Sequence, residues 1–119
     1  MITLTIEVRS KPGKINELFQ TLQALLPTMR QEEACLSCRV YQDFEDGDVY
    51  ALSSDWGAET NFEGYIKSAS GGALLGAIKT LGQSTRIQLG RDAKWEGVEK
   101  LSQIRTKGEK HEHTGRNRL

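Results

Sequence analysis

The sequence predicts an α+β domain over residues 1–90 in which a split βαβ unit is repeated, in the order strand, helix, strand, strand, helix, strand (βαββαβ). Three observations carry this. Ile2, Leu4, Ile6 and Val8 alternate strictly with Thr3, Thr5, Glu7 and Arg9, the period of a strand buried on one face. Ile15, Leu18, Phe19, Leu22, Leu25, Leu26 and Met29 follow at helical spacing. Glu45-Asp46-Gly47-Asp48 then divides two strand-like runs with a hairpin signal, which makes the second and third strands antiparallel neighbours.

Taken in order, Pro12-Gly13 turns the chain between the first strand and the first helix. Pro27 lacks an amide donor and crowds the preceding turn, so the helix is expected to kink or end early there. Leu36 to Phe44 reads as the second strand, and the third runs through Trp56. Phe62, Tyr65 and Ile66 mark a short helix, Ser70-Gly71-Gly72 is expected to interrupt it, and Ala73, Leu74, Ala77, Ile78 and Leu81 resume the helical period up to Gly82. Thr85, Ile87 and Leu89 alternate with Ser84, Arg86 and Gln88 as the fourth strand. This is the ferredoxin-like plan, in which helices cover one face of the sheet. The bare face is expected to offer Thr3, Thr5, Glu7, Arg39, Tyr41, Arg86 and Gln88, with Tyr50, Leu52, Ser54 and Trp56 added from the third strand. Aromatic rings mixed with a few ionisable groups suit a ligand cavity between two sheets better than a dry interface.

Residues 91–119 form a C-terminal extension. Asp92 could cap a short helix along which Trp95, Val98, Leu101 and Ile104 make an apolar stripe, and a polar tail follows from Thr106. The extension holds 8 Lys/Arg against 5 Asp/Glu, and residues 1–90 hold 8 against 11. The whole chain balances at zero, so it lacks the positive excess that non-specific nucleic-acid binding requires, and no nucleic-acid partner is expected. No run approaches the roughly 20 apolar residues of a membrane span, the N-terminus enters a strand directly, and a cytoplasmic location is the default. Cys35 and Cys38 lie three apart in a strand and point to opposite faces, so their spacing reads as accidental rather than as a disulfide or redox motif. His111 and His113 lack a third ligand, and the absence of clustered ligands and of a glycine-rich dinucleotide turn predicts no metal, flavin or other cofactor.

The element order, Lys11-Pro12-Gly13-Lys14, Cys35-Leu36 leading to Val40-Tyr41, and the strand ending Asp55-Trp56 resemble the antibiotic biosynthesis monooxygenase family, a dimeric α/β-barrel group that includes quinol monooxygenases. The resemblance covers residues 1 to about 90. It implies a homodimer in which two sheets pack face to face into a barrel, each bare face lining a cavity. It implies oxidation of a small quinol or hydroxylated aromatic by dioxygen without metal or flavin. In that chemistry Arg86 would offset a phenolate, Glu7 would accept its proton and Trp56 would clamp the ring, with Thr5, Arg39, Tyr41, Tyr50 and Leu52 contacting substrate. Members acting on haem or polyketides place an asparagine where this chain has Ile6 and Leu52, and many carry a histidine where it has Gly71-Gly72. No histidine occurs in residues 1–90, which disfavours histidine-ligated haem. Other readings stay open at this point: Glu7 with Arg39 or Arg86 as a cross-strand ion pair, Trp56 as a packing residue, and the chain as a non-catalytic ligand-binding or sensory dimer.

Overall fold

The first strand, β1 (Ile2–Ser10), lies at the centre of the sheet, because its alternation gives it one apolar face and two edges that both find antiparallel partners. A computed structural model describes residues 1–107. Within them β2 (Cys35–Gln42), β3 (Val49–Trp56), β4 (Gly82–Leu89) and the short β5 (Trp95–Gly97) complete an open, wholly antiparallel sheet of order β2-β3-β1-β4-β5. Helices α1 (Ile15–Arg30), α2 (Glu59–Lys67), α3 (Ala69–Leu81) and α4 (residues 99–107) complete the described residues. The α+β, ferredoxin-like class read from the sequence is the fold observed.

The core lies between α1–α3 and the sheet face formed by Leu4, Ile6 and Val8 of β1 with Tyr50, Leu52, Ser54 and Trp56 of β3, all at most 7% exposed. The register shows why these share a face: Ile6 pairs with Leu52, Val8 with Tyr50, Leu4 with Ser54 and Ile2 with Trp56. Directly paired residues of an antiparallel sheet point the same way. This corrects the expectation that Tyr50, Leu52, Ser54 and Trp56 lie on the bare face. Their alternating set is the larger apolar one on β3 and goes to the core, leaving Val49, Ala51, Ser53 and Asp55 on the other side.

Three further expectations change. α1 continues through Pro27 to Arg30, with Met29 buried as its next-to-last residue; proline this close to a C-terminus removes one backbone bond without ending the helix. The interruption of the second helical region falls at Ser68, not at Ser70-Gly71-Gly72. The Ser68 hydroxyl donates to the Tyr65 carbonyl at 2.5 Å and accepts from the Gly71 amide at 3.1 Å, capping α3 as α2 ends. Gly71 is what makes so tight a corner possible, since a Cβ there would lie 2.2 Å from the Tyr65 carbonyl oxygen and 2.6 Å from that of Ile66.

The third change concerns the extension. Trp95 is not helical: residues 95–97 are captured by the free edge of β4, and the helix starts only at residue 99. Gly90, at φ +102°, reverses the chain and its amide donates to the Thr3 carbonyl at 2.8 Å. α4 then returns to the helical side. Leu101 and Ile104 are buried there, and Arg105 Nη1 donates to the carbonyls of Ile66 and Ser68 at 2.6 and 2.9 Å. His111 and His113 lie outside the described residues.

Candidate functional site

The open face of the sheet is built in rows. Reading across all five strands, one row is Tyr41, Ala51, Glu7, Arg86, Gly97, and the next is Arg39, Ser53, Thr5, Gln88, Trp95. Of the residues singled out from the sequence, Thr5, Glu7, Arg39, Tyr41 and Arg86 therefore share one surface. Trp56, Tyr50 and Leu52 are on the opposite side of the same sheet. A single strand thickness separates the two groups, so they cannot touch one ligand from within this chain.

At the centre of the first row Arg86 forks onto Glu7, with Nε donating to Oε1 at 3.1 Å and Nη2 to Oε2 at 3.2 Å. The cross-strand ion pair anticipated from the sequence is formed with Arg86. It is a two-point contact of fixed orientation, which a lysine could not reproduce. Glu7, Arg9, Val49, Ser84, Thr85 and Arg86 line a shallow depression of about 260 Å³ beside it. Arg9 at its rim is paired with Asp46 of the β2–β3 turn, a contact that raises the pKa of the guanidinium and lowers that of the carboxyl.

Trp95 was missed as a member of this face. Its pairing with Gln88 brings its ring to the guanidinium of Arg86, whose Cζ lies 4.1 Å from the ring centroid, a cation–π distance. The signal available in the sequence was Gly90 followed by Gly97, two breakers bracketing a run too short for a helix to claim. Tyr41, 51% exposed, stands at the far end of the Glu7 row.

A third row carries Asp55, which accepts from the Thr3 hydroxyl at 2.6 Å and the Ser37 hydroxyl at 2.8 Å. These two hydrogen bonds, with the charge of Arg91 nearby, hold the Asp55 carboxyl below the ordinary aspartate range. A carboxyl whose pKa is lowered by folding stabilises the fold fully above its unfolded value of about 3.9, and that contribution is lost as pH falls through the lower folded value. Asp55→Asn is therefore expected to flatten the acid side of the stability profile below about pH 4. Urea titrations of both proteins from neutral pH downward measure this, and parallel acid limbs would contradict it.

On the core side, Trp56 is 1% exposed and donates its indole N–H to the Ser54 hydroxyl at 2.9 Å. Its ring lies 5.5 Å from Tyr65 and 6.2 Å from Phe62, centroid to centroid, and Tyr50 meets Phe19 at 6.1 Å. The Tyr65 hydroxyl is shared with Ser70 at 3.2 Å, and burial pushes its pKa up. Cys38 is buried with its thiol 3.1 Å from the Met29 sulfur, and loss of solvent pushes its pKa up to about 12. Both cysteines are free thiols, and a thiol held protonated is a poor nucleophile. Among the described residues no group of three or more His, Cys, Asp or Glu side chains is placed to hold a metal.

No helix among the described residues is long and apolar enough to cross a membrane. None of the curated proteins compared matches this chain. Among solved structures, an antibiotic biosynthesis monooxygenase is similar with a TM-score of 0.71 at 18% identity, over 79% of this chain and 100% of the other. A Pseudomonas aeruginosa protein is similar at 0.70 and 24% identity, over 77% and 94%. A conserved Methanosarcina mazei Go1 protein is similar at 0.71 and 22%, over 76% and 90%. These likenesses establish the fold. The sequence profile of the antibiotic biosynthesis monooxygenase family matches residues 1–71, more than half of the chain, and this protein belongs to that family.

Proposed function

We propose that the chain is a cofactor-independent monooxygenase that oxidises a small quinol or hydroxylated aromatic with dioxygen, working as a homodimer in the cytoplasm. The observation that carries this reading is the Arg86–Glu7 fork at the centre of the open face. A quinol hydroxyl entering between the two can give its proton to Glu7, and the phenolate so formed is held by Arg86, which stays charged throughout. The phenolate is then electron-rich enough to reduce dioxygen itself. Quinol and O2 give a hydroxylated quinone and water, so the substrate supplies every electron and no flavin or metal is required. Thr5, Arg39 and Tyr41 belong to the same two rows and would orient the ring.

The size of the depression supports the homodimer. At about 260 Å³ it is smaller than the roughly 300–1,000 Å³ of ordinary ligand sites and open on one side, so a second sheet laid over the first would complete it and exclude water. In this reading residues 1–90 are the family domain, and residues 91–119 are an extension that adds β5 and α4 to it.

A second reading, a non-catalytic ligand-binding dimer of the same fold, is favoured by one specific observation. Trp56 is committed to Ser54, Phe62 and Tyr65 in the core, away from the Arg86–Glu7 fork, and Ile6 and Leu52 are paired beside it with no polar group to offer. The test is oxygen uptake with a panel of quinols, compared with the autoxidation rate of each, alongside the solution mass at micromolar protein. Uptake above autoxidation by a dimer is the expected result. Saturable binding without accelerated uptake would replace the enzyme reading with the second one, and a concentration-independent monomer would end the shared-cavity argument.

A further inference from the structure

Cys35 and Cys38 face the same way. Strict alternation would put residues three apart on opposite sides of β2, but the strand carries a bulge: Cys35 pairs with Trp56, Ser37 with Asp55 and Cys38 with Ser54, so Leu36 is the extra residue. Trp56 and Ser54 both point into the core, and directly paired residues share a face, so both thiols lie on the helical side of the sheet. Cys35 packs against the same buried cluster that contains Cys38 and Met29. One inserted residue thus gives a common direction to two cysteines that alternation alone would separate.

A third sulfur meets them. Met29, on the last turn of α1 and 1% exposed, has its Sδ 3.1 Å from the Cys38 Sγ. The connection that brings it there is short and tied. The Glu32 amide donates to the Met29 carbonyl at 3.2 Å, the Cys35 amide to the Glu32 carbonyl at 3.0 Å, and Arg30 Nε to the Cys38 carbonyl at 3.0 Å. Cys38 and Met29 are buried, whereas Cys35 is only partly so and gives the cluster its access to solvent. Opposite Trp56 and Ser54, the two cysteines stand two strand steps apart, about 6.6 Å. A disulfide needs its Cβ atoms within about 4.5 Å, so these thiols are too far apart to join directly. Two sulfurs bound to one ion at about 2.3 Å each lie roughly 4 Å apart, a separation that side chains leaning toward each other reach from such positions.

We infer that Cys35, Cys38 and Met29 form a binding site for a soft monovalent metal cation, Cu(I), on the helical side of the sheet and separate from the Arg86–Glu7 face. Donor chemistry selects the ion. Thiolate and thioether sulfur suit Cu(I), whereas Zn(II) takes four ligands, and no cluster of three His, Cys, Asp or Glu side chains among the described residues supplies them. The charges agree with this. Burial raises the pKa of both thiols, Cys38 to about 12, and the Arg30 guanidinium is the nearby charge that works the other way. Two thiolates around one Cu(I) leave a single negative charge, which Arg30 offsets. Binding breaks both S–H bonds, forms the Cu–S bonds and gives both protons to solvent, with no change of oxidation state.

The test is anaerobic titration of the reduced full chain with Cu(I) against a chromogenic Cu(I) chelator, with Zn(II) titrated separately. The wild type is expected to take up about one Cu(I) per chain, to show thiolate-to-copper absorption in the ultraviolet, and to unfold at higher urea once loaded. Losing an outer partner of a metal site already costs about 10–100-fold in affinity, so Cys35→Ser, at a partly exposed position, is expected to cost at least about a hundredfold. Met29→Leu, which conserves core volume, is expected to cost about tenfold, because a thioether is the weakest of the three donors. His111 and His113 are present in every variant, so these losses report the sulfur atoms. Cu(I) held no more tightly by the native chain than by the chain in urea overturns the inference, as does unchanged affinity in either variant. Zn(II) bound as tightly as Cu(I) overturns the choice of ion and the inference with it. Ready loss of both free thiols to a Cys35–Cys38 disulfide, on mild oxidation of the metal-free protein, overturns the spacing on which the site rests.

Discussion

Arg86→Ala is expected to slow quinol-dependent oxygen uptake by about a hundredfold, the usual cost of removing one preorganised donor to a developing anion in a site that excludes water. The loss should fall mainly on kcat, because the positive charge is needed most where the hydroxyl has lost its proton. Alanine also leaves Glu7 without its fork, so the proton acceptor loses the partner that fixes its orientation. Arg86→Lys separates the two effects: it keeps a charge but cannot span both carboxylate oxygens, so it should fall between wild type and alanine. Initial oxygen-electrode rates at saturating quinol, corrected for autoxidation, give the comparison. Equal rates for all three proteins would exclude Arg86 from the chemistry.

Trp56→Ala is expected to destabilise the fold by about 3–5 kcal/mol, the range for truncating a fully buried large aromatic. The indole is 1% exposed, packs on Phe62 and Tyr65 and satisfies the hydroxyl of Ser54, so truncation leaves both a cavity and a buried hydroxyl without its donor. Against a typical total of roughly 5–15 kcal/mol the variant would be marginal. The urea midpoint measures the effect. A midpoint unchanged from wild type, together with a raised KM, would instead assign Trp56 to ligand binding.

These two expectations differ in kind because the residues concerned lie on opposite sides of one sheet, and this separation is where reading the sequence stopped. β1 was legible because its alternation is complete, and with it the face of Thr5, Glu7 and Arg86. β3 was legible as a strand but not as to which way it faced. The register that pairs Leu4 with Ser54 and Ile6 with Leu52 turns the set of Tyr50, Leu52, Ser54 and Trp56 inward, where the Ser54 hydroxyl is satisfied by a neighbouring indole. Helical periodicity could not place Trp95 either, because a spacing of three through Trp95, Val98, Leu101 and Ile104 fits a helix, whereas the open edge of β4 offers backbone partners that no local pattern registers. The α2–α3 corner has the same character. Two adjacent glycines read as an interruption, but one of them is there to let backbone approach backbone.

The contact of Arg105 with that corner has a consequence for the order in which the protein is made. The break between α2 and α3 leaves the Ile66 carbonyl to a side-chain donor, while the Ser68 carbonyl already takes the Gly72 amide at 2.9 Å, and the guanidinium that reaches both emerges from the ribosome 39 and 37 residues later. Until it does, the nascent chain has all five strands but an unfinished helical side, with the seat of Leu101 and Ile104 still open to solvent. Docking of α4 is therefore a closing event in biosynthesis, one that seals an apolar strip and brings a donor to the Ile66 carbonyl in the same step.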